Sequence, residues 1–115
     1  MAELYNLTQN TQILSHLDVP KTFLKKSRGL IGRKKLKPGY GMWLKKCKWI
    51  HTFFMSMPID VIYIDKALKV TKIQHGLKPW RIPAPVFSAE SVIEVAAGSL
   101  RQKNIHIGDQ LNVGH

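Results

Sequence analysis

Cys47, His51, Asp60 and Asp65 are the residues of this 115-residue chain whose types and proximity could do chemistry. A thiol and an imidazole can act as nucleophile and general base. Lys45, Lys46 and Lys48 flank Cys47 and would favour its thiolate. The spacing argues against the pair. Four residues apart on an extended strand, Cys47 and His51 share a face, but their Cα atoms stand about 13 Å apart. A helix would bring them together, yet the sequence Trp-Ile-His-Thr-Phe-Phe around His51 favours a strand. A thiol enzyme also needs an orienting group and an oxyanion donor, and only Asp60 offers itself for the first of these. A buried or incidental thiol is therefore the stronger reading, with a thiol/histidine-dependent enzyme as a distant alternative. Cys47, His51 and Asp60 are ligand types that zinc accepts, but their spacing matches no standard zinc arrangement. His16, His75, His106 and His115 are scattered along the chain. No metal or other cofactor is expected.

The two aspartates frame the apolar run 59–64, which is rich in β-branched residues and bounded by Pro58 and Asp65. Five apart on one strand, they point to opposite faces and do not form an acid–base pair. Asp65 reads as a turn residue accepting backbone N–H bonds. Asp60, at the entrance to the strand, either satisfies local backbone, pairs with Arg28 or Arg33, or contacts a ligand. Trp80, between Pro79 and Arg81, either stacks on a ligand or partner or folds back over an open end of the fold.

The elements that position these residues are mostly strands. Residues 3–7 and 11–17 predict one or two N-terminal strands, closed by a turn at Asp18-Val19-Pro20. Residues 21–32 place Phe23, Leu24, Leu30 and Ile31 near helical spacing, with Pro20 before them and Gly29 or Gly32 to end the turn. They predict one short amphipathic helix exposing Lys25, Lys26 and Arg28. Strands are predicted at 42–44, 51–55, 59–64, 69–74 and 91–95, with a tight turn at 65–68 and a proline-rich loop at 76–85. A second short helix is predicted from Ser99, as its cap, to Lys103. Gly108-Asp109 is a hairpin signal. The expected fold is mainly β (β-rich α+β): a compact single-domain β-barrel or sandwich with one or two short helices.

Composition sets the outer limits. A chain of this length makes one domain with one core, and 44% hydrophobic residues exclude a disordered polyelectrolyte. One cysteine cannot form an internal disulfide, which suits a reducing compartment. No secretory signal or membrane span is read, so a cytoplasmic monomer is expected. The formal charge of +11 comes from one segment: positions 21–48 hold eleven Lys or Arg and no acid, while the remaining basic and acidic residues balance. Lys25, Lys26, Arg33, Lys34 and Lys35 head this basic surface, which would attract nucleic acid or another anionic surface without sequence preference.

The motifs together carry a resemblance. Arg28-Gly29-Leu30-Ile31, Arg33 and Leu36, then Gly41-Met42-Trp43, resemble the opening of the family called domain of unknown function 192. Residues 51–55, 58–65 and Lys78-Pro79-Trp80 resemble its central block, and Glu94-Val-Ala-Ala-Gly98 and Ile107-Gly108-Asp109 its closing block. The likeness covers about residues 22–113. Ile31 stands where the family often has methionine, Ala67 where a glycine is common, and the spacing from Arg28 to Gly32 is slightly compressed. Many relatives are exported, and no such leader is read here. The resemblance implies a compact, mainly-β domain over 21–113, with 1–20 as a strand region of the same domain and 114–115 as a tail. It also marks Arg28, Gly29, Asp65, Gly98, Gly108 and Asp109 as structural motif positions. It implies no activity.

The function expected from all this is a non-enzymatic binding or accessory module. Its groove would lie near His51, Asp60 and Trp80, and its ligand would be a protein or a small molecule. A nucleic-acid or anionic-surface binder acting through 21–48 is the alternative.

Overall fold

In the computed structural model, residues 2–19, 37–46 and 57–114 are described. The first predicted helix, the predicted strand at 51–55, Cys47 and His51 lie outside them, as do Lys25, Lys26, Arg28, Gly29, Arg33, Lys34 and Lys35. The described chain forms seven strands: β1 (Ala2–Asn6), β2 (Thr11–Asp18), β3 (Tyr40–Leu44), β4 (Ile59–Ile64), β5 (Val70–Leu77), β6 (Ser91–Ala96) and β7 (Leu111–Gly114). They make a single sheet in the order β5-β4-β6-β3-β2-β1-β7. Neighbours run antiparallel except β2 and β3, which run parallel in the register His16↔Tyr40 and Leu17↔Gly41.

β4 is the spine of the sheet. Every residue from Ile59 to Ile64 is buried, as a continuous β-branched run predicts for a strand covered on both faces. Its alternation divides the core in two. Ile59, Val61 and Tyr63 join Met42, Leu44 and Val92 on one face. Ile62 and Ile64 face the other way, into a larger cluster with Leu4, Leu14, Ile93 and Leu111. That larger cluster joins residues from β4 and β5 to residues from β1 and β7, which sit at opposite ends of the strand order. Only a strongly curled sheet can do this, so the larger cluster fills the concave, inner face and the smaller one lies on the outer face.

The curl does not complete a barrel. The two edges meet at one bridge, Lys69↔Gln110. Val70 N–H donates to Asp109 O at 2.9 Å, Gly108 N–H to Val70 O at 2.7 Å and Leu111 N–H to Leu68 O at 2.9 Å. The expected closed barrel or two-sheet sandwich is thus an open curled sheet pinned at one corner. No helix occurs among the described residues. Where a helix from Ser99 to Lys103 was expected, residues 97–102 form a chain of turns. Ser99 N–H bonds to Ala96 O, Arg101 N–H to Gly98 O, and Lys103 N–H to Leu100 O, all three residues back. Five residues cannot repay helix nucleation, and Gly98 at φ +85° turns the chain out of the helical region. Gly108-Asp109 makes a turn, with Asp109 N–H donating to His106 O at 3.1 Å. It does not join two strands of a hairpin, because β7 pairs with β1.

Gly41 marks where three strands press closest. A Cβ built there would lie 2.6 Å from Leu14 Cδ1, 2.9 Å from Val95 Cγ1 and 3.1 Å from Glu94 O. Even one methyl group forces β2 and β6 off β3. Gly41→Ala is expected to destabilise the domain by about 2 kcal/mol or more, the usual effect of overpacking a tight core. Urea denaturation would read this as a lowered midpoint, and an unchanged midpoint would contradict the close approach.

Candidate functional site

Asp60 reaches its site from β4 on the concave side and is fully buried. Its Oδ1 accepts the Gly76 N–H at 2.8 Å. Its Oδ2 accepts the Gly98 N–H at 2.9 Å and the Leu100 N–H at 3.4 Å. The half-exposed His75 adds an Nδ1 atom 3.9 Å from Oδ2. The carboxylate therefore ties the irregular end of β5 and the turns after β6 to the middle of the sheet. A ligand bonding to it would have to displace backbone donors, so this geometry serves structure before binding. Asp65 accepts the Ala67 and Lys69 N–H groups, both at 2.9 Å, and shapes the turn between β4 and β5.

Asp109 plays a similar part where β1 meets the 104–109 turn. It accepts Asn6 Nδ2 at 2.8 Å, Gln9 Nε2 at 3.3 Å and the His106 N–H at 2.8 Å. Burial pulls its pKa upward, but these hydrogen bonds, led by the one from Asn6, together with the nearby His106 ring, bring it below the ordinary carboxylate value. Gly98 at φ +85° and Gly108 at φ +95° allow the turns that these carboxylates hold.

Trp80 sits in the proline-rich loop after β5 with φ +61°, a left-handed conformation that a bulky residue adopts only under constraint. Its side chain is 55% exposed, and Ile82 beside it 54%. Arg81 folds its Nη1 back toward the carbonyls of Pro79 and Trp80 at 3.4 and 3.5 Å. Between this loop and the end of β5 lies a shallow, open hollow lined by Gln74, Gly76, Leu77, Lys78, Arg81, Ile82 and Pro83.

The register of the sheet connects that hollow to a second polar position. On the outer face, Gln74 of β5 lies opposite Val61 of β4, Val61 opposite Glu94 of β6, and Glu94 opposite Met42 of β3. Gln74 and Glu94 thus flank one valine, about 10 Å apart between Cα atoms. The Oε1 atom of Gln74 is buried without a hydrogen-bond partner among the described residues. Glu94 is only 3% exposed, and burial raises its pKa to about 7. No described residue hydrogen-bonds to its side chain. At neutral pH it is poised between donor and acceptor, a state that functional sites often use. Farther along the same face, the His16 ring stacks on Tyr40 with centroids 4.2 Å apart, and its Nδ1 is buried without a partner among the described residues.

Sequence reasoning singled out Asp60 and Trp80 and did not single out Gln74 or Glu94. The structure brings Trp80 beside the hollow and sends Asp60 to the opposite side of the sheet. A signal for Glu94 existed: it is a carboxylate inside the apolar run 91–96. What makes it matter is the pairing of β6 with β4, which no local pattern announces. Among the described residues, no three His, Cys, Asp or Glu side chains group in a way that could hold a metal ion. No helix there is long and apolar enough to cross a membrane.

Comparison with known proteins agrees with this architecture. The family model DUF192, described as Uncharacterized ACR, matches residues 5–113. The chain is 30% identical to a UPF0127 protein from Thermococcus sibiricus, over 95% of this chain and 73% of the relative. It is 27% identical to one from Pyrococcus abyssi, over 96% of this chain and 97% of the relative. Among solved structures, it is similar to a candidate transcription regulator from Sinorhizobium meliloti 1021. That match has a TM-score of 0.77 and 20% identity, covering 97% of this chain and 91% of the other. A protein of unknown function from Novosphingobium aromaticivorans gives a TM-score of 0.76 at 18% identity, covering 96% and 82%.

Two outcomes test this geometry. Asp60→Ala strands three backbone donors and is expected to destabilise the domain by about 3 kcal/mol in a denaturant titration. A change below about 1 kcal/mol would show that water replaces the carboxylate. Glu94 has a folded pKa of about 7, above its ordinary 4.5, so the folded state holds this proton more tightly. Its contribution to stability is therefore intact at acid pH and is lost as pH rises from about 4.5 through 7, by at most about 3 kcal/mol. Glu94→Gln should be the more stable protein at pH 8 and should lose that part of the pH dependence. Parallel melting profiles for the two proteins across this range would refute the assignment.

Proposed function

The chain belongs to the DUF192 family, and for this member we propose a non-enzymatic binding or accessory module whose ligand seats on the outer face of the sheet, at the hollow between β5 and the Trp80 loop. The observation that carries the reading is the open hollow itself, where Gln74 and Gly76 of β5 face Lys78, Arg81, Ile82 and Pro83 of the loop. Leu77, Ile82 and Pro83 supply apolar contact and Lys78 and Arg81 positive charge, and the loop that bears them also carries the exposed Trp80. In the wider groove of His51, Asp60 and Trp80 expected from sequence, Trp80 keeps the role of ligand contact. Asp60 becomes the anchor of the strand beneath, and His51 lies outside the described residues. The likeness to solved structures is a likeness of fold and lends this chain no regulatory role.

The charge of +11 favours a second reading, contact with nucleic acid or another anionic surface through the basic segment 21–48. A fragment library mapped by amide chemical shifts separates the two. Binding at the hollow should perturb residues 74–83 and should weaken by about tenfold in Gln74→Leu, which changes the shape and polarity of the hollow wall. Hits that perturb only other surfaces, or that ignore the substitution, would remove the hollow as the site. Retention on duplex DNA that falls steeply with salt and is unaffected by Gln74→Leu would favour the second reading instead.

A further inference from the structure

The hollow opens along the outer edge of the sheet, which points to its class of ligand. We propose that the edge of β5 from Thr71 to His75 accepts an extended acidic peptide as an added strand, with one of its side chains seated in the hollow. This rests on the binding-module reading above and names its partner. β5 ends the strand order, and among the described residues its far side is engaged only at its start, where Val70 bonds to Gly108 and Asp109. From Thr71 to His75, no described residue offers that side a backbone hydrogen bond, while the Gly76 N–H is already taken by Asp60 Oδ1. Peptide N–H and C=O groups left open along an edge are a template for another strand.

Two features fit this edge to an acidic strand. Gly76, at φ +64°, would carry a Cβ with nothing within 4 Å, so the backbone beside the hollow is open to close approach. Positions 66–89 hold Lys66, Lys69, Lys72, Lys78 and Arg81 and no acidic residue. The same lysines exclude a second copy of this chain. Pairing two β5 edges would set like charges opposite one another between molecules that each carry +11. Lysine on an edge guards against self-association, and it leaves an acidic strand welcome.

The test uses the full chain and a short labelled peptide alternating valine and glutamate, followed by fluorescence polarisation at physiological salt. Two controls accompany it: the same peptide N-methylated on alternate backbone amides, and a valine–lysine version. The acidic peptide should bind, and N-methylation should weaken it by about tenfold or more, because strand addition depends on main-chain hydrogen bonds. Lys78→Glu combined with Arg81→Glu should weaken it by a similar factor of about ten. Amide exchange at residues 71–75 should slow when the peptide is present. Equal binding of the N-methylated peptide would show attraction by charge alone and overturn the proposal, as would equal binding of the lysine peptide or no binding at all. If the peptides fail while fragments still map to Gln74 and depend on it, the peptide inference falls and the binding-module reading stands. If both fail, both fall.

Discussion

A carboxylate buried in the middle of an apolar strand imposes the constraint from which much of this structure follows. β4 is covered on both faces, so Asp60 has no route to water and must find its hydrogen-bond donors inside the protein. It takes them from the backbone of Gly76, Gly98 and Leu100. To present those N–H groups, β5 must bend near its end and the chain after β6 must turn rather than continue as a strand or start a helix. Two of the three donors belong to glycines with positive φ, a conformation that other residues rarely adopt. The irregular segments of the fold are thus shaped by one acid on its most regular strand.

The two faces of the sheet then take different characters. The inner cluster is apolar throughout and gathers residues from both ends of the strand order, and the buried carboxylates Asp60 and Asp109 are both hydrogen-bonded. The outer face mixes its apolar cluster with Glu94, Gln74 and His16, whose polar groups the surrounding described residues do not fully engage. A core that supports only folding has no use for such atoms, since each destabilises the fold unless something bonds to it.

Much of the fold was legible from local pattern. The run 59–64 was read as a strand buried on both sides, and the turn at 65–68 and the strands near 91–95 fall where hydrophobic alternation and turn residues put them. The family resemblance was legible too, because it rests on the same turns and strands. The helix expected from Ser99 was not formed, because a good cap cannot compensate for five residues following a left-handed glycine. The barrel was overdrawn, since short alternating strands say nothing about whether the two edges meet along their length or only at Lys69 and Gln110. At the site, Trp80 was visible as an aromatic among prolines, whereas Gln74 looked like an ordinary polar residue on an alternating strand.

By itself, the sequence determined the class of structure: strands from β-branched runs, turns from glycine, proline and aspartate, and a positive charge concentrated upstream of the central strand. These are properties of neighbouring residues, set by steric limits on the backbone and by the period of two along a strand. Only the tertiary structure decided which strands lie side by side, and so which polar residues share a face. Asp60 and Gln74 point to opposite sides of the sheet because Gln74 pairs with Val61, the next residue to Asp60 on β4. Glu94 came within one valine of Gln74 because β6, distant in sequence, pairs with β4. Pairing over such distances is chosen by the burial of whole faces, an energy that belongs to the assembled sheet and to no segment of the chain.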